Sequence, residues 1–192
     1  MANKSALLIL TDDFEEIEAF APVDILRRAG ARVVVASRTD STEVRGRSGI
    51  VTRADCLLGD AAAAGLFDLV IVPGGPGHKA LRADARVIGI VEKQAATGRL
   101  VGAICAGPTV LKDAGVLKGR NYTGHFSVLT EMPDIDEKSD VVIDGNVITS
   151  RGAGTAVAFG LALVEKLFDR EKALAVAKSI CTDYRGADVP RN

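Results

Sequence analysis

Leu100-Val101-Gly102-Ala103-Ile104-Cys105-Ala106-Gly107-Pro108-Thr109 is the stretch on which the fold turns. Five small or aliphatic residues read as a buried strand, and they run straight into a cysteine, two small residues and a helical pattern. A strand that turns this sharply into a helix is a nucleophile elbow. It lifts one side chain out of the sheet and needs small neighbours such as Ala106 and Gly107, because the turn crowds the backbone. The following helix points its free N–H groups and positive end at the sulfur, which is expected to lower the thiol pKa and raise the thiolate fraction. The competing reading of Cys105 is a small apolar residue buried for packing, and a serine elbow in a hydrolase has a similar pattern.

To either side, short aliphatic runs alternate with longer helical patterns. Strands are expected at 6–10, 32–36, 69–72, 100–104 and 147–149. A first helix carries Ile17, Phe20, Ala21, Ile25 and Leu26 and stops at Gly30, with a kink or late start expected at Pro22. Further helices are expected at 84–97, from just after Cys105 to near Gly115, at 155–167 and at 170–182, with a short one around 61–64. Strand–helix alternation at this rhythm gives an α/β fold with a mainly parallel sheet covered on both faces. In such folds the sites lie beyond the carboxyl ends of the strands.

Composition narrows the function classes. The chain has 192 residues, 47% hydrophobic and 26% charged, enough for one domain over 1–185, with a frayed polar tail at 186–192. A net charge of −1 leaves no general nucleic-acid footprint, and no aliphatic run is long enough for a membrane span. Three dispersed cysteines and two histidines provide neither a disulfide framework nor a zinc-site spacing. A cytoplasmic protein without metal or other cofactor is the expectation.

The other strand ends supply candidate chemistry. Pro73-Gly74-Gly75-Pro76-Gly77 follows a strand and could turn successive N–H groups onto an oxyanion, or be a plain glycine turn. The acids of Thr11-Asp12-Asp13-Phe14-Glu15-Glu16-Ile17-Glu18 suit a solvated helix start. Glu18 differs in being flanked by apolar residues; beside Cys105 it would keep its proton, although for any single Glu here a surface salt bridge is the better expectation. His125 sits in an expected loop and could serve the cysteine as a base or be merely structural, whereas His78 is expected to be exposed. Ser150-Arg151-Gly152-Ala153-Gly154-Thr155 could hold an anion through Arg151, or form a flexible turn.

In combination, Ala103-Ile104-Cys105-Ala106-Gly107-Pro108, Val72-Pro73-Gly74-Gly75, Glu15-Glu16-Ile17-Glu18 and Thr149-Ser150-Arg151-Gly152-Ala153-Gly154-Thr155 resemble the ThiJ/PfpI superfamily, in particular its branch of Parkinsonism-associated deglycase and redox proteins. The resemblance covers roughly residues 6–182. It implies a flavodoxin-like three-layer sandwich and a homodimer built partly through the first helix, with Arg27 and Arg28. It casts Cys105 as reactive thiolate, Glu18 as its protonated partner and His125 as the nearby imidazole. The amides of Gly75 and Ala106, with Gly74 and Arg151, would hold substrate.

The activity implied is cofactor-free conversion of methylglyoxal and related α-oxoaldehydes, or removal of their adducts from amines and thiols. The alternative is a redox-sensing regulator or chaperone that uses oxidation of the same cysteine. A protease of the PfpI type is disfavoured, since that branch has a histidine after the cysteine where Ala106 stands here. Glutamine amidotransferase chemistry lacks its later His-x-Glu pair. The segment around Pro133 departs from the better-known members, and Cys56 and Cys181 fall outside every motif.

Overall fold

All five aliphatic runs form strands, and all five run parallel. The computed structural model describes residues 4–186. In chain order the first elements are β1 (Ser5–Leu10), α1 (Glu16–Arg28), β2 (Arg32–Ser37), β3 (Glu43–Arg45), β4 (Val51–Arg53) and β5 (Cys56–Leu57). The middle of the chain gives α2 (Leu58–Ala63), β6 (Leu69–Val72), α3 (His78–Arg82), α4 (Ala85–Ala96), β7 (Leu100–Ile104) and α5 (Pro108–Asp113). The remainder is β8 (Val141–Asp144), β9 (Val147–Ser150), α6 (Ala156–Leu167) and α7 (Arg170–Ser179). Seven strands make one sheet in the order β5-β2-β1-β6-β7-β9-β8, with only β8 antiparallel. This is the flavodoxin-like architecture.

Side-chain alternation assigns each strand residue to one of two cores. Leu8, Leu10, Leu69, Ile71 and Ile104 pack with α1, α6 and α7; Leu7, Ile9, Val70, Val72 and Val101 pack with α2, α4 and α5. Because both faces are covered, these strands read as unbroken aliphatic runs. Gly102 is the exception in β7. A Cβ there would lie 3.0 Å from Leu163 Cδ2 and 3.1 Å from Phe159 Cζ of α6. Gly102→Ala is therefore expected to cost about 1–3 kcal/mol of stability through overpacking. Denaturant unfolding checks this, and an unchanged midpoint would show that α6 yields freely.

The structure corrects three expectations. Helix α1 begins at Glu16 and runs on through Pro22, with neither a late start nor a break. Pro22 is buried against α6, where Gly160 lets the helices approach so closely that a Cβ there would lie 3.2 Å from Pro22 Cα and 2.8 Å from Ile25 Cδ1. Tertiary packing thus outweighs the lost backbone hydrogen bond. The β3–β4 hairpin and β8 were not expected. Neither has the aliphatic run that marks the buried strands: β8 is a half-exposed edge, and β3–β4 is a separate two-stranded sheet. The expected tail falls, from residue 187 on, outside the described residues. Among the described residues no helix is long and apolar enough to cross a membrane.

Candidate active site

The crevice beyond the carboxyl ends of β1, β6 and β7 gathers residues from three distant parts of the chain. Directly after β7, Cys105 has φ +62°, a left-handed conformation that costs a non-glycine residue roughly 1–2 kcal/mol. Neighbouring strands and loops hold it there. The Cys105 N–H donates to the Ser150 carbonyl at 2.9 Å, and its own carbonyl accepts from the His125 N–H at 2.9 Å. The expected elbow is present.

The glycine loop after β6 packs directly against this turn. Gly75 has φ +85°, and a Cβ there would lie 2.5 Å from the Asp13 carbonyl oxygen and 2.6 Å from the Glu15 nitrogen. At Gly74 a Cβ would lie 2.6 Å from Glu18 Oε2 and 2.7 Å from Cys105 Cβ. Only glycine lets the loop, the start of α1 and the elbow converge here.

Glu15 caps α1, its Oε2 accepting from the Glu18 N–H at 2.7 Å, and so fixes where the helix begins. Glu18 is then carried inward rather than to the surface, and it is 1% exposed. Instead of a salt bridge it makes two hydrogen bonds: its Oε2 accepts from the Gly74 N–H at 3.0 Å, and its carboxyl meets the Cys105 side chain. Burial pushes the Glu18 carboxyl up to about 7, against the pull of Cys105, the Gly74 N–H and the Arg47 charge.

The thiol is also raised, to about 12, first by burial and then by the charge and hydrogen bond of Glu18. The N–H groups of Gly75 and Ala106 face the sulfur and work in the opposite direction. The expected lowering by the following helix is therefore overturned. That helix has only six residues, and two acids this close cannot both ionise in a buried site. As pH rises through about 7 Glu18 gives up its proton and the pair keeps one, on the sulfur, so a thiolate forms when Glu18 takes that proton back.

His125 is half-buried at the start of a single 3-10 turn over Phe126–Val128. Its Nδ1 accepts from the Ser127 N–H at 3.2 Å and lies 2.8 Å from Ser127 Oγ. A ring nitrogen that accepts a backbone N–H carries no proton, which places the neutral ring's proton on Nε2. Burial, then the charges of Arg151 and Arg47, hold its pKa below the usual imidazole value.

Cys105, Glu18, Gly75, Ala106 and His125 border one cleft of about 810 Å³. Gly74 supports it from below through Glu18. Arg151 stands apart, in an adjoining groove with His125 and Phe126, its Nη1 4.0 Å from Asp140 Oδ1. His78 is half-buried rather than exposed; its Nδ1 lies 2.9 Å from the Gly75 carbonyl and its ring borders the cleft.

Arg47 and Lys79 also border the cleft and were not singled out from the sequence. Arg47 arrives on the β3–β4 hairpin, which the acids after β1 tie down. Asp12 Oδ1 accepts from the Arg45 N–H at 2.9 Å and Glu16 Oε1 from the Ser48 N–H at 2.8 Å. Those acids thus hold backbone and are not simply solvated. Their density beside a strand end was the available signal.

Residues 4–166 match the profile of the DJ-1/PfpI family. Protein DJ-1 homolog A of Arabidopsis thaliana is 43% identical over 176 residues, which cover 90% of this chain and 45% of that protein. The chain thus spans less than half the length of that plant relative. A Caenorhabditis elegans protein named glutathione-independent glyoxalase DJR-1.2 is 42% identical over 186 residues, 94% of this chain and 97% of its own. The crystal structure of Drosophila melanogaster DJ-1beta superposes with a TM-score of 0.90 at 38% identity, covering 95% of this chain and all of that one. On its profile match, its identity to these proteins and its fold, the chain is a member of the DJ-1/PfpI family.

Proposed function

We propose that the protein is a cofactor-independent glyoxalase that converts methylglyoxal and related α-oxoaldehydes to 2-hydroxy acids and also releases their adducts from amines and thiols. The observation that carries this reading is the buried Glu18–Cys105 pair facing the N–H groups of Gly75 and Ala106. The name of the C. elegans relative supports the same class.

In the proposed mechanism, Glu18 takes the thiol proton as Cys105 Sγ attacks the aldehyde carbon. The N–H groups of Gly75 and Ala106 receive the developing oxyanion, and a proton returned to that oxygen completes a hemithioacetal. Glu18 or His125 then moves the proton on that carbon to the neighbouring carbonyl carbon through an enediol. The first carbon is oxidised and the second reduced, so no external electron carrier is needed. Water hydrolyses the resulting thioester, releasing lactate and restoring the thiol.

We further place a homodimer contact on α1 and the β3–β4 hairpin, where Ile17, Ile50 and Val51 are large apolar residues left exposed. The test of the activity is lactate formation from methylglyoxal by purified protein with no glutathione present. Its absence from folded protein overturns the reading. A second reading, response to oxidants, is favoured by the same donors around the sulfur, which could also hold a cysteine sulfinate. Intact mass after mild peroxide tests it: Cys105 staying reduced, or running to sulfonate, removes its basis.

A further inference from the structure

On one face of the sheet, α2 and α4 leave a cavity of about 290 Å³ between them, lined by none of the residues that border the Cys105 cleft. Leu58, Ala61, Leu66, Phe67 and Ile90 give it apolar walls. Two helical glycines open it, Gly59 in α2 and Gly89 in the middle of α4. Neither glycine permits a close approach, since a Cβ at either would meet nothing within 4 Å, and neither has positive φ. Glycine inside a helix weakens it. Packing and backbone conformation give no reason for these two; both are exposed, and they leave the mouth of the cavity open.

The polar groups in the walls are selective. Gln94 is 1% exposed, and its Nε2 donates to the Phe67 carbonyl at 2.8 Å and the Leu100 carbonyl at 3.3 Å. Its Oε1 receives no hydrogen bond from any described residue and is not among the fully buried unpaired oxygens, so it is an acceptor that a guest in the cavity can reach. The charged residues in the lining are Arg86 and Lys93, both on α4, with no acid among them. Arg86 is engaged with Asp84, whereas Lys93 forms no ion pair or hydrogen bond with the described residues.

We infer that the α2–α4 cavity is a second binding site, separate from the Cys105 cleft, for a small apolar carboxylate that carries an N–H or O–H donor. The apolar body fills the space beside Gly89, the donor meets Gln94 Oε1, and the carboxylate pairs with Lys93. The volume suits a bicyclic aromatic rather than a long acyl chain.

Indole-3-acetate is a suitable probe, because the chain contains no tryptophan to mask its emission. A saturable blue shift and rise in anisotropy is expected. 1-Naphthaleneacetate, which keeps shape and carboxylate but lacks the donor, should bind about tenfold more weakly, measured by competition. Lys93→Glu should weaken indole-3-acetate by about five- to tenfold. Gly89→Leu should abolish binding while raising Tm by about 2–4 °C, so a loss there does not come from unfolding. Cys105→Ala should bind as the unchanged protein does. Binding that survives Gly89→Leu, binding that is lost in Cys105→Ala, or no saturable signal up to about 1 mM overturns the inference.

Discussion

Cys105→Ala is expected to lower lactate formation from methylglyoxal by on the order of 10³-fold or more while leaving the fold intact. The size of the loss follows from covalent chemistry: without sulfur no hemithioacetal forms, and Glu18 and the Gly75 and Ala106 amides have nothing to act on. The fold should survive because alanine keeps the left-handed backbone that the Ser150 and His125 hydrogen bonds already hold. Thermal unfolding and lactate quantification on the same preparation separate the two effects. Lactate that persists in the variant, or a trapped adduct on Cys56 or Cys181, would sink the mechanism.

Glu18→Gln is expected to move stability and turnover in opposite directions. The rise of the Glu18 carboxyl from 4.5 to about 7 corresponds to about 3 kcal/mol of penalty on the ionised form in the folded state. The folded value lies above the unfolded one, so this stability is fully present below pH 4.5 and is lost as pH rises through 7. Glutamine stays neutral and can still accept from the Gly74 N–H. The variant should match the parent near pH 4.5, exceed it by up to about 3 kcal/mol at pH 8, and lose most of the pH dependence between.

Turnover should fall by on the order of 10²-fold, because no group takes the thiol proton. Iodoacetamide also reacts only with the thiolate, so without Glu18 to take the proton alkylation near neutral pH should slow together with turnover, and both should recover as pH rises toward the thiol's own range. Slower alkylation and slower turnover that both recover at high pH identify Glu18 as the acceptor of the thiol proton. Slower turnover with alkylation unchanged, or losses that do not recover at high pH, would show that it merely positions the sulfur or substrate.

Legibility in the sequence followed burial. The five parallel strands could be read because both faces are covered and most of their residues are apolar, all four in Leu69-Val70-Ile71-Val72. The elbow could be read because its small residues are forced by crowding. Edge strand β8 carries Asp144 and is half-exposed, so its pattern is diluted. Glu18 was the hardest residue to place. Its inward direction depends on where α1 begins, and that is set by the Glu15 cap and the Gly74 loop, 56 positions away in the chain. Arg47 depends on a hairpin fastened by long-range hydrogen bonds, which no local pattern encodes.

Strands β1, β6 and β7, from whose ends the Cys105 site is built, lie at the centre of the sheet, while β5 and β8 form its edges. Amide hydrogens in central ladders exchange last, and edges fray first. Local opening at either edge therefore leaves Glu18, Gly75 and Cys105 assembled. The chemistry should persist through partial unfolding and vanish only when the whole sheet lets go.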